Sequence, residues 1–510
     1  MPVVDFDALR YATDGLSFAQ ARTSGDLPWF RGSPDGTRQG HVHNPLLTIS
    51  LAHALLNTSG KTLGYPNDKS MAWFFQFSFV CMVLALAALG LTTRKPLVAW
   101  LAILLVLAVP DFWLIVRMHT RDAFRIIPLL LLTGIFLSLT ARRTRRVRLV
   151  TCGGLTLMSG LSLVGHSLGG LLAAVIALLW FLWVVWEKPG WGGWLKVTAA
   201  VCLGVIICGY PIIKAKLETG YFEGNEAYFD NGQMNGTVLE QAIEAREMKR
   251  FEKNNAMFLN FFQRDHYHLS IIGCLAVLLA LLLRKRLKRD YHFRGIPLLA
   301  LMCVGTILPF TGALDFLGFE FSRRLGVNPR YVLHVYPFLA TCLAALLVWF
   351  WSELAAGTLA RGGERRLAQV VVLALVAALG LLSGYTVYQW PITKSPKYRL
   401  AMIKEHLTAL ETVQKELPPG SRLLLDDLRW NYYLPQRGVL LYATTSWELL
   451  RAQTSQDVAR LLAAQRLGAV ELRNDWIKEW WSVTPLYQYL KATSKTVKTD
   501  RFTIFVLSSG

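Results

Sequence analysis

Holding a polar side chain beside a long apolar segment costs free energy, so such a residue suggests a function. Five places along this chain carry polar residues that could take part in catalysis or ligand binding. They are Asp14, His41 with His43, Arg121 with Asp122, His166, and Arg330 with Tyr331. A carboxylate can take a proton from an attacking hydroxyl group, and a guanidinium can neutralise a departing phosphate through two hydrogen bonds. Such a set could serve sugar transfer from a lipid-phosphate donor, with Asp14 as candidate general base and Arg330 as candidate phosphate ligand.

The segment Gly165-His166-Ser167-Leu168-Gly169 matches the G-x-S-x-G motif of a hydrolase nucleophile elbow. That elbow requires a central parallel sheet, and an acid and a histidine that follow it in the chain. The flanking runs 149–164 and 168–186 each have the length of a membrane helix. Glycines would allow two such helices to meet in a tight turn, so a membrane hydrolase with Ser167 as nucleophile is the least favoured interpretation.

The composition indicates a polytopic membrane protein. The 510 residues are 53% hydrophobic and 17% charged, whereas soluble domains carry roughly 25% charged residues. Apolar runs able to cross a bilayer, which takes about 20 residues, occur about ten times. They lie near 71–92, 97–115, 123–140, 149–164, 168–186, 195–213, 269–283, 295–313, 331–352 and 367–390. The predicted fold class is therefore a polytopic α-helical membrane protein.

The formal net charge of +20 is concentrated in linkers between apolar runs, such as 142–148 and 284–294. Basic linkers mark the cytoplasmic side, and those of this chain all fall on one side when the runs alternate. We therefore expect a multi-pass protein of the plasma (inner) membrane, with 1–70, 214–268 and 391–510 extracytoplasmic. No basic soluble surface with interleaved aromatic residues is visible, so nucleic acid is not an expected partner.

Two features concern the ends of the spans. Five tryptophans lie at one predicted cytoplasmic boundary, where an interfacial aromatic belt is expected: Trp180, Trp183, Trp186, Trp191 and Trp194. Residues 1–70 are expected outside although neither a span nor a signal peptide precedes them. A first span missing from the N-terminus is the favoured explanation, and unaided translocation of this segment is the other.

Three domains are predicted. Residues 1–70 form an extracytoplasmic loop with surface-lying helices near 5–24 and 45–60, and residues 71–390 form the transmembrane domain. The tail 391–510 reads as a small extracytoplasmic α/β domain. Its expected strands are "SRLLLDD", "GVLLYA", "AVELRN" and "RFTIFVLSS", and "SQDVARLLAAQRLG" is expected to be a helix that ends in Gly468.

The sequence gives little support for a metal site or for disulfide bonds. His41, His43 and the histidines of "HYH" at 266–268 match no strong ligand spacing, so no metal ligand is assigned and a divalent metal is left open. All seven cysteines lie inside apolar segments, which argues against a disulfide framework and a thiolate zinc site.

The order of these features resembles the GT-C superfamily of membrane glycosyltransferases, particularly protein O-mannosyltransferases and the aminoarabinose transferase acting on lipid A. Members carry an acidic residue in the first external loop, then two surface-lying helices, and a second acidic residue at the start of a later span. Here those features would be Asp14, the helices within 1–60, and Asp122. "RYVLHVYP" at 330–337 resembles the family's "RY-x-L-x-x-x-P" element, and "HNPLL" at 43–47 resembles its "H-P-P-L" stretch.

The resemblance implies a hexosyl- or pentosyltransferase that uses a polyprenyl-phosphate-linked sugar on the extracytoplasmic face, with a lipid, glycan or protein as acceptor. It implies Asp14 and Asp122 as catalytic residues. His166 stands where many members have a lysine-containing turn close to the donor, and Gly15 replaces a second acidic residue, which puts a metal role in doubt. The implied donor or phosphate ligands are Arg330, Tyr331, His166, Arg121 and His43.

Two alternatives remain at this point. A transporter or flippase for a lipid-linked or glycan substrate would also be polytopic, but few charges lie in mid-span and no matching pair of broken helices is visible. Asp122 could instead pair with Arg121 or Arg125 as a structural ion pair at the start of a span.

Overall fold

The computed structural model describes two compact units. The described residues are 68–109, 112, 120–141, 147–165, 167–187, 192–219, 267–307, 333–357, 363–393, 396–426, 434, 439–440, 449, 452–479 and 481–507. One unit, here called the helical unit, comprises Phe75–Gly209 and Asn254–Lys394. The other, here called the tail unit, comprises Ser395–Gly510 together with Met1–Phe74 and Tyr210–Lys253. The predicted surface helices within 1–60 lie outside the described residues.

The described part of the first unit is helical. In chain order its helices are α1 (Asp68–Leu91), α2 (Pro96–Leu107), α3 (Thr120–Ala141), α4 (Leu149–Gly165), α5 (Ser167–Glu187), α6 (Trp194–Thr219), α7 (Tyr267–Leu282), α8 (Arg284–Arg289), α9 (Ile296–Ile307), α10 (Val335–Ala355) and α11 (Gly363–Thr393). Three of them are long and apolar enough to cross a membrane, through Ala123–Ala141, Leu168–Glu187 and Val335–Ala355. Shorter apolar helices account for the other predicted runs, and every run overlaps one of these helices.

Helix α10 forms the centre of this bundle. Every residue from 335 to 349 is buried, which is typical of a helix that is apolar on all sides and surrounded by others. It packs against α2, α7, α9 and α11. The last three residues of the "RYVLHVYP" element, 335–337, form the first turn of this buried helix.

The Gly165–Gly169 segment joins two helices, as the span pattern predicts. Helix α4 ends at Gly165 and α5 begins at Ser167, and the described part of this unit contains no strand for a nucleophile elbow. An added Cβ at Gly165 would lie 2.6 Å from the Phe124 carbonyl oxygen, and one at Gly169 would overlap the Ser162 carbonyl oxygen. The glycines are thus explained by close approach of backbones.

The tryptophan cluster only partly fits an interfacial belt. Trp186 and Trp194 are exposed, as side chains at a membrane boundary would be. Trp180 and Trp183 are buried instead, and the Trp180 ring stacks on Phe136 with centroids 5.0 Å apart. Two of the five predicted belt residues therefore belong to the core between helices.

The described part of the tail unit contains a mixed five-stranded sheet with helices on both faces. Its elements are α12 (Pro396–Glu416), β1 (Arg422–Leu425), β2 (Val439–Leu440), α13 (Ser455–Ala464), β3 (Leu467–Arg473), α14 (Asn474–Glu479), α15 (Pro485–Thr493), β4 (Ser494–Lys498) and β5 (Phe502–Leu507). The strand order is β2-β1-β3-β5-β4, with β1 parallel to β2 and β3 and the other pairs antiparallel.

Side chains of successive strand residues point to opposite faces, which gives the sheet two cores. Leu423 and Leu425 pack with α12, while Leu424 packs with α13 and α15. The predicted strands "SRLLLDD", "AVELRN" and "RFTIFVLSS" are confirmed, and β2 lies within "GVLLYA". Strand β4 was not predicted from the sequence.

The predicted end of the helix at Gly468 is wrong. Helix α13 ends at Ala464, and the chain reverses at Arg466, whose φ is 53°. Gly468 lies within β3, where an added Cβ would be 2.8 Å from a methyl carbon of Leu417. Its small size therefore serves packing of the strand against neighbouring residues rather than termination of the helix.

Candidate functional site

Contacts within the helical unit define a basic end. The Arg94 guanidinium, in the turn between α1 and α2, lies 4.6 Å from the Tyr291 ring centroid. In the adjacent turn, the His292 Nδ1 atom is 3.2 Å from the Thr93 carbonyl oxygen. Lys288 of α8 forms an ion pair with Glu187 at the end of α5. The end of α1, the end of α5 and the basic helix α8 therefore lie at one end of the bundle.

The two candidate residues whose backbone the structure describes, Arg121 and Asp122, lie at the opposite end. Because consecutive helices alternate in direction, the starts of α3, α5 and α10 and the end of α4 are at the other end from α8. Contacts support this arrangement, since Gly165 approaches Phe124 and the His334 Nε2 atom lies 3.4 Å from the Thr306 carbonyl oxygen. Arg121 and Asp122 occupy the first turn of α3, which begins at Thr120.

A buried arginine follows these two residues on α3. Arg125 has 0% exposure, and its Cγ atom lies 3.3 Å from the position that a Cβ at Gly169 would take. Arg125 follows Arg121 and Asp122 by four and three residues, about one turn of the helix. The structure thus brings the Arg125 side chain, the α3 start and the glycine turn between α4 and α5 to the same place.

The sequence suggests only an ion-pair role with Asp122 for Arg125, and does not predict its burial beside the glycine turn. The signal available was its position inside an apolar run, "AFRIIPLLL". A guanidinium at such a position is costly unless it is paired or functional. Its complete burial depends on the packing of α3 against α5, which no local pattern reveals.

The start of α10 is packed rather than open. His334 and Tyr336 are both buried, and the Tyr336 ring meets Phe112 edge-on with centroids 6.4 Å apart. Both side chains therefore pack inside the bundle. An apolar cleft lies close by, and its lining includes Phe79, Met82, Leu86, Val106, Phe112 and Pro337.

The remaining candidates are not described by the structure. Asp14, His41, His43, His166, Arg330 and Tyr331 lie outside the described residues, and of Arg121 and Asp122 only the backbone is described. Among the described side chains, no group of three His, Cys, Asp or Glu residues is arranged to hold a metal ion.

No protein-family model and no curated protein matches the chain. Solved structures do match it over nearly its whole length. ArnT from Cupriavidus metallidurans bound to undecaprenyl phosphate has a TM-score of 0.58 and 11% identity over 99% of this chain and 94% of that chain. The apo state of the same protein has a TM-score of 0.60 and 14% identity over 98% of this chain and 92% of that chain.

A third similar structure comes from an archaeon. The oligosaccharyltransferase AglB from Archaeoglobus fulgidus, in complex with an inhibitory peptide and a dolichol-phosphate, has a TM-score of 0.58 and 11% identity. The match covers 100% of this chain and 71% of that chain. Together with the apolar helices, these similarities show that the chain has the fold of GT-C membrane glycosyltransferases, the fold that the sequence resemblance predicts.

Proposed function

We propose that this protein is an integral membrane glycosyltransferase that moves a sugar from a polyprenyl-phosphate donor to an extracytoplasmic acceptor. The similar structures of ArnT with undecaprenyl phosphate and of AglB with a dolichol-phosphate support the class of donor. The observation that carries the proposal is the buried Arg125 beside the glycine turn, at the end of the bundle where α3 begins at Thr120.

In the proposed reaction, the Asp14 carboxylate accepts the proton of the acceptor hydroxyl group. The hydroxyl oxygen forms a bond to the anomeric carbon of the sugar, and the bond from that carbon to the phosphate oxygen breaks. The polyprenyl phosphate leaves with the bonding electron pair and gains negative charge. Cationic donors that already face this phosphate stabilise that charge without reorganisation.

Arg330 is the first proposed phosphate ligand, because its guanidinium can engage two phosphate oxygens at once. His166, Arg121, Tyr331 and His43 complete the proposed donor site, and Asp122 acts as a second catalytic carboxylate. Arg125 adds a cation that the sequence did not suggest. Burial strengthens its interaction with an anion, since the surroundings screen charge less than water does.

The test is transfer by the purified protein in lipid nanodiscs. Undecaprenyl phosphate carrying a pentose or hexose is supplied with an acceptor extract, and release of undecaprenyl phosphate is measured by mass spectrometry. We expect Asp14→Asn to abolish release, whereas Asp457→Asn, which changes an exposed carboxylate of the tail unit, retains it.

Two results would contradict the proposal. Full release by a correctly folded Asp14→Asn protein would exclude Asp14 as the base. Movement of the intact donor across proteoliposome membranes, with no cleavage of the sugar–phosphate bond, would favour a flippase instead.

A further inference from the structure

We propose that the basic end of the helical unit binds the headgroup of an anionic glycerophospholipid on the surface of α8. This inference is independent of the proposed transfer reaction, because the residues involved lie at the opposite end of the bundle from Arg125 and Gly169. It rests on three observations, namely a fixed basic helix, exposed cations with no acidic partner among the described residues, and exposed apolar rows that end beside them.

Helix α8 is held firmly against the end of α5. Its single apolar residue, Leu287, is completely buried. Lys288 pairs with Glu187, and its ammonium group lies 4.6 Å from the Trp183 ring centroid. The Arg284 guanidinium lies 5.1 Å from the Trp186 ring centroid. Two of the five cations of α8 therefore anchor it, which fixes the direction of the remaining three.

The three remaining cations are Lys285, Arg286 and Arg289, and all are exposed. Within the described part of the chain, no carboxylate lies at ion-pair distance from them. The neighbouring Asp290 accepts the backbone N–H of His292 at 2.8 Å, which shapes the turn after α8. Three adjacent cations on a fixed helix form a site for an anion such as a phosphodiester.

Exposed apolar side chains lead up to this basic surface. On α7, Leu278 and Leu282 are 53% and 69% exposed, and Leu282 precedes Arg284 by two residues. On α5, Leu182 and Trp186 are 52% and 66% exposed and approach the same end. A ligand with an anionic head and hydrocarbon chains would satisfy both surfaces, whereas a free phosphate or a nucleic acid would leave the apolar rows uncovered.

The turn after α8 ties a second pair of helices to this surface. Arg94 stacks on Tyr291, and its backbone has a φ of 57° in a turn closed by a hydrogen bond from the Thr93 hydroxyl to the Gly90 carbonyl oxygen at 2.7 Å. A headgroup bound on α8 would therefore sit beside a junction of α1, α2, α5 and α7, and its binding should stabilise the bundle.

The experiment is native mass spectrometry of the full-length protein in detergent with equal amounts of phosphatidylglycerol, cardiolipin and phosphatidylcholine. We expect the wild type to retain the two anionic lipids selectively. The variant Lys285→Gln/Arg286→Gln/Arg289→Gln should lose this retention by more than about tenfold, because each cation near a lipid surface contributes appreciably. The matched control is Lys491→Gln/Lys495→Gln/Lys498→Gln, which removes three exposed cations from the tail unit.

Several outcomes would overturn the inference. Equal retention by the α8 variant and the wild type, or equal loss in the tail control, would show that α8 is not the site. Displacement of the lipid by millimolar inorganic phosphate would indicate a site for free anions, and preference for undecaprenyl phosphate over phosphatidylglycerol would assign the surface to the donor lipid. If the triple variant fails to fold, the single variant Arg286→Gln should still give a partial loss, and no loss would refute the site.

Discussion

The imidazole Nε2 of His406 on α12 lies 2.9 Å from the Glu471 carboxylate on β3, and both side chains are buried. The other imidazole nitrogen, Nδ1, is 3.0 Å from the Thr499 hydroxyl, and the ring stacks on Phe502 with centroids 4.3 Å apart. The second Glu471 oxygen accepts the Asp426 backbone N–H at 3.1 Å. These contacts hold α12 against β3, the central strand of the sheet.

Removal of one partner from this network should destabilise the tail unit. We expect His406→Leu to cost about 3–5 kcal/mol, because it leaves the Glu471 charge buried without its partner. The double variant His406→Leu/Glu471→Met should cost less than either single variant, since it buries no unpaired charge. The Asp426 N–H keeps an acceptor in that variant, the Glu471 carbonyl oxygen at 3.2 Å.

Hydrogen exchange of β1 and β3 peptides in the full-length protein measures this difference. Lys495→Gln, at an exposed position of β4, serves as the control that should leave protection unchanged. A double variant that exchanges faster than both single variants would contradict a coupled pair.

The ion pair of Arg473 and Asp475 should give a small, pH-dependent contribution to the stability of the tail unit. Partial burial raises the pKa of Asp475, but the hydrogen bond and charge of Arg473 outweigh it and hold the pKa below the ordinary value of 3.8. The guanidinium Nη2 lies 2.6 Å from the carboxylate. A lowered pKa in the folded state stabilises the protein above the unfolded-state pKa, and this contribution is lost as pH falls through the folded-state pKa.

Asp475→Asn should therefore lower stability at pH 7 by less than about 1 kcal/mol, because the side chain is largely exposed and water screens the pair. The difference from wild type should shrink as pH is lowered through the acidic range below about pH 4. Thermal melting of both proteins at several pH values measures it, and a difference that grows toward low pH would contradict the assignment.

Local patterns predicted more of this fold than of its site. The apolar runs predicted the helices because length and hydropathy are local properties, and the glycines at 165 and 169 predicted the turn between α4 and α5. Strand β4 could not be predicted from the sequence, because "SKTVK" is a short, charged and mostly exposed edge strand without an apolar alternation.

Burial of single residues could not be predicted in the same way. Trp180 and Trp183 look like boundary residues in the sequence, yet they pack inside the bundle because α5 meets α3 and α9 there. Arg125 is similar, since its enclosure arises from packing between α3 and α5. The roles of Asp14 and Arg330 stay predictions from the sequence.

The glycine turn offers a direct test of the close packing between α3 and α4. Gly165→Ala should destabilise the protein by about 1–3 kcal/mol, because the added methyl group would press on the Phe124 carbonyl oxygen, a backbone atom that cannot move alone. Gly153→Ala changes the same helix where no atom lies within 4 Å, and should be neutral or stabilising by up to about 1 kcal/mol. Size-exclusion profiles recorded after heating give the apparent melting temperature of each variant. Equal melting temperatures of the two variants would contradict the close packing at Gly165.

Arg125 provides the sharpest test of the candidate site. Arg125→Lys keeps a cation in the buried position but loses the planar guanidinium that can bind two phosphate oxygens. Loss of a hydrogen bond to a charged group costs about 1.5–3 kcal/mol, which corresponds to a decrease of about 10- to 150-fold in kcat/KM for sugar transfer. The melting temperature should stay near that of the wild type, because charge and burial are retained.

Arg94→Lys is the matched control for this substitution. It makes the same change at the basic end, where the guanidinium stacks on Tyr291, and should leave transfer unchanged. Binding of undecaprenyl phosphate, measured by native mass spectrometry, separates the two possible roles of Arg125. Loss of binding at an unchanged melting temperature would identify a phosphate ligand, whereas wild-type binding and kcat/KM in Arg125→Lys would mean that this buried cation only holds α3 against the glycine turn.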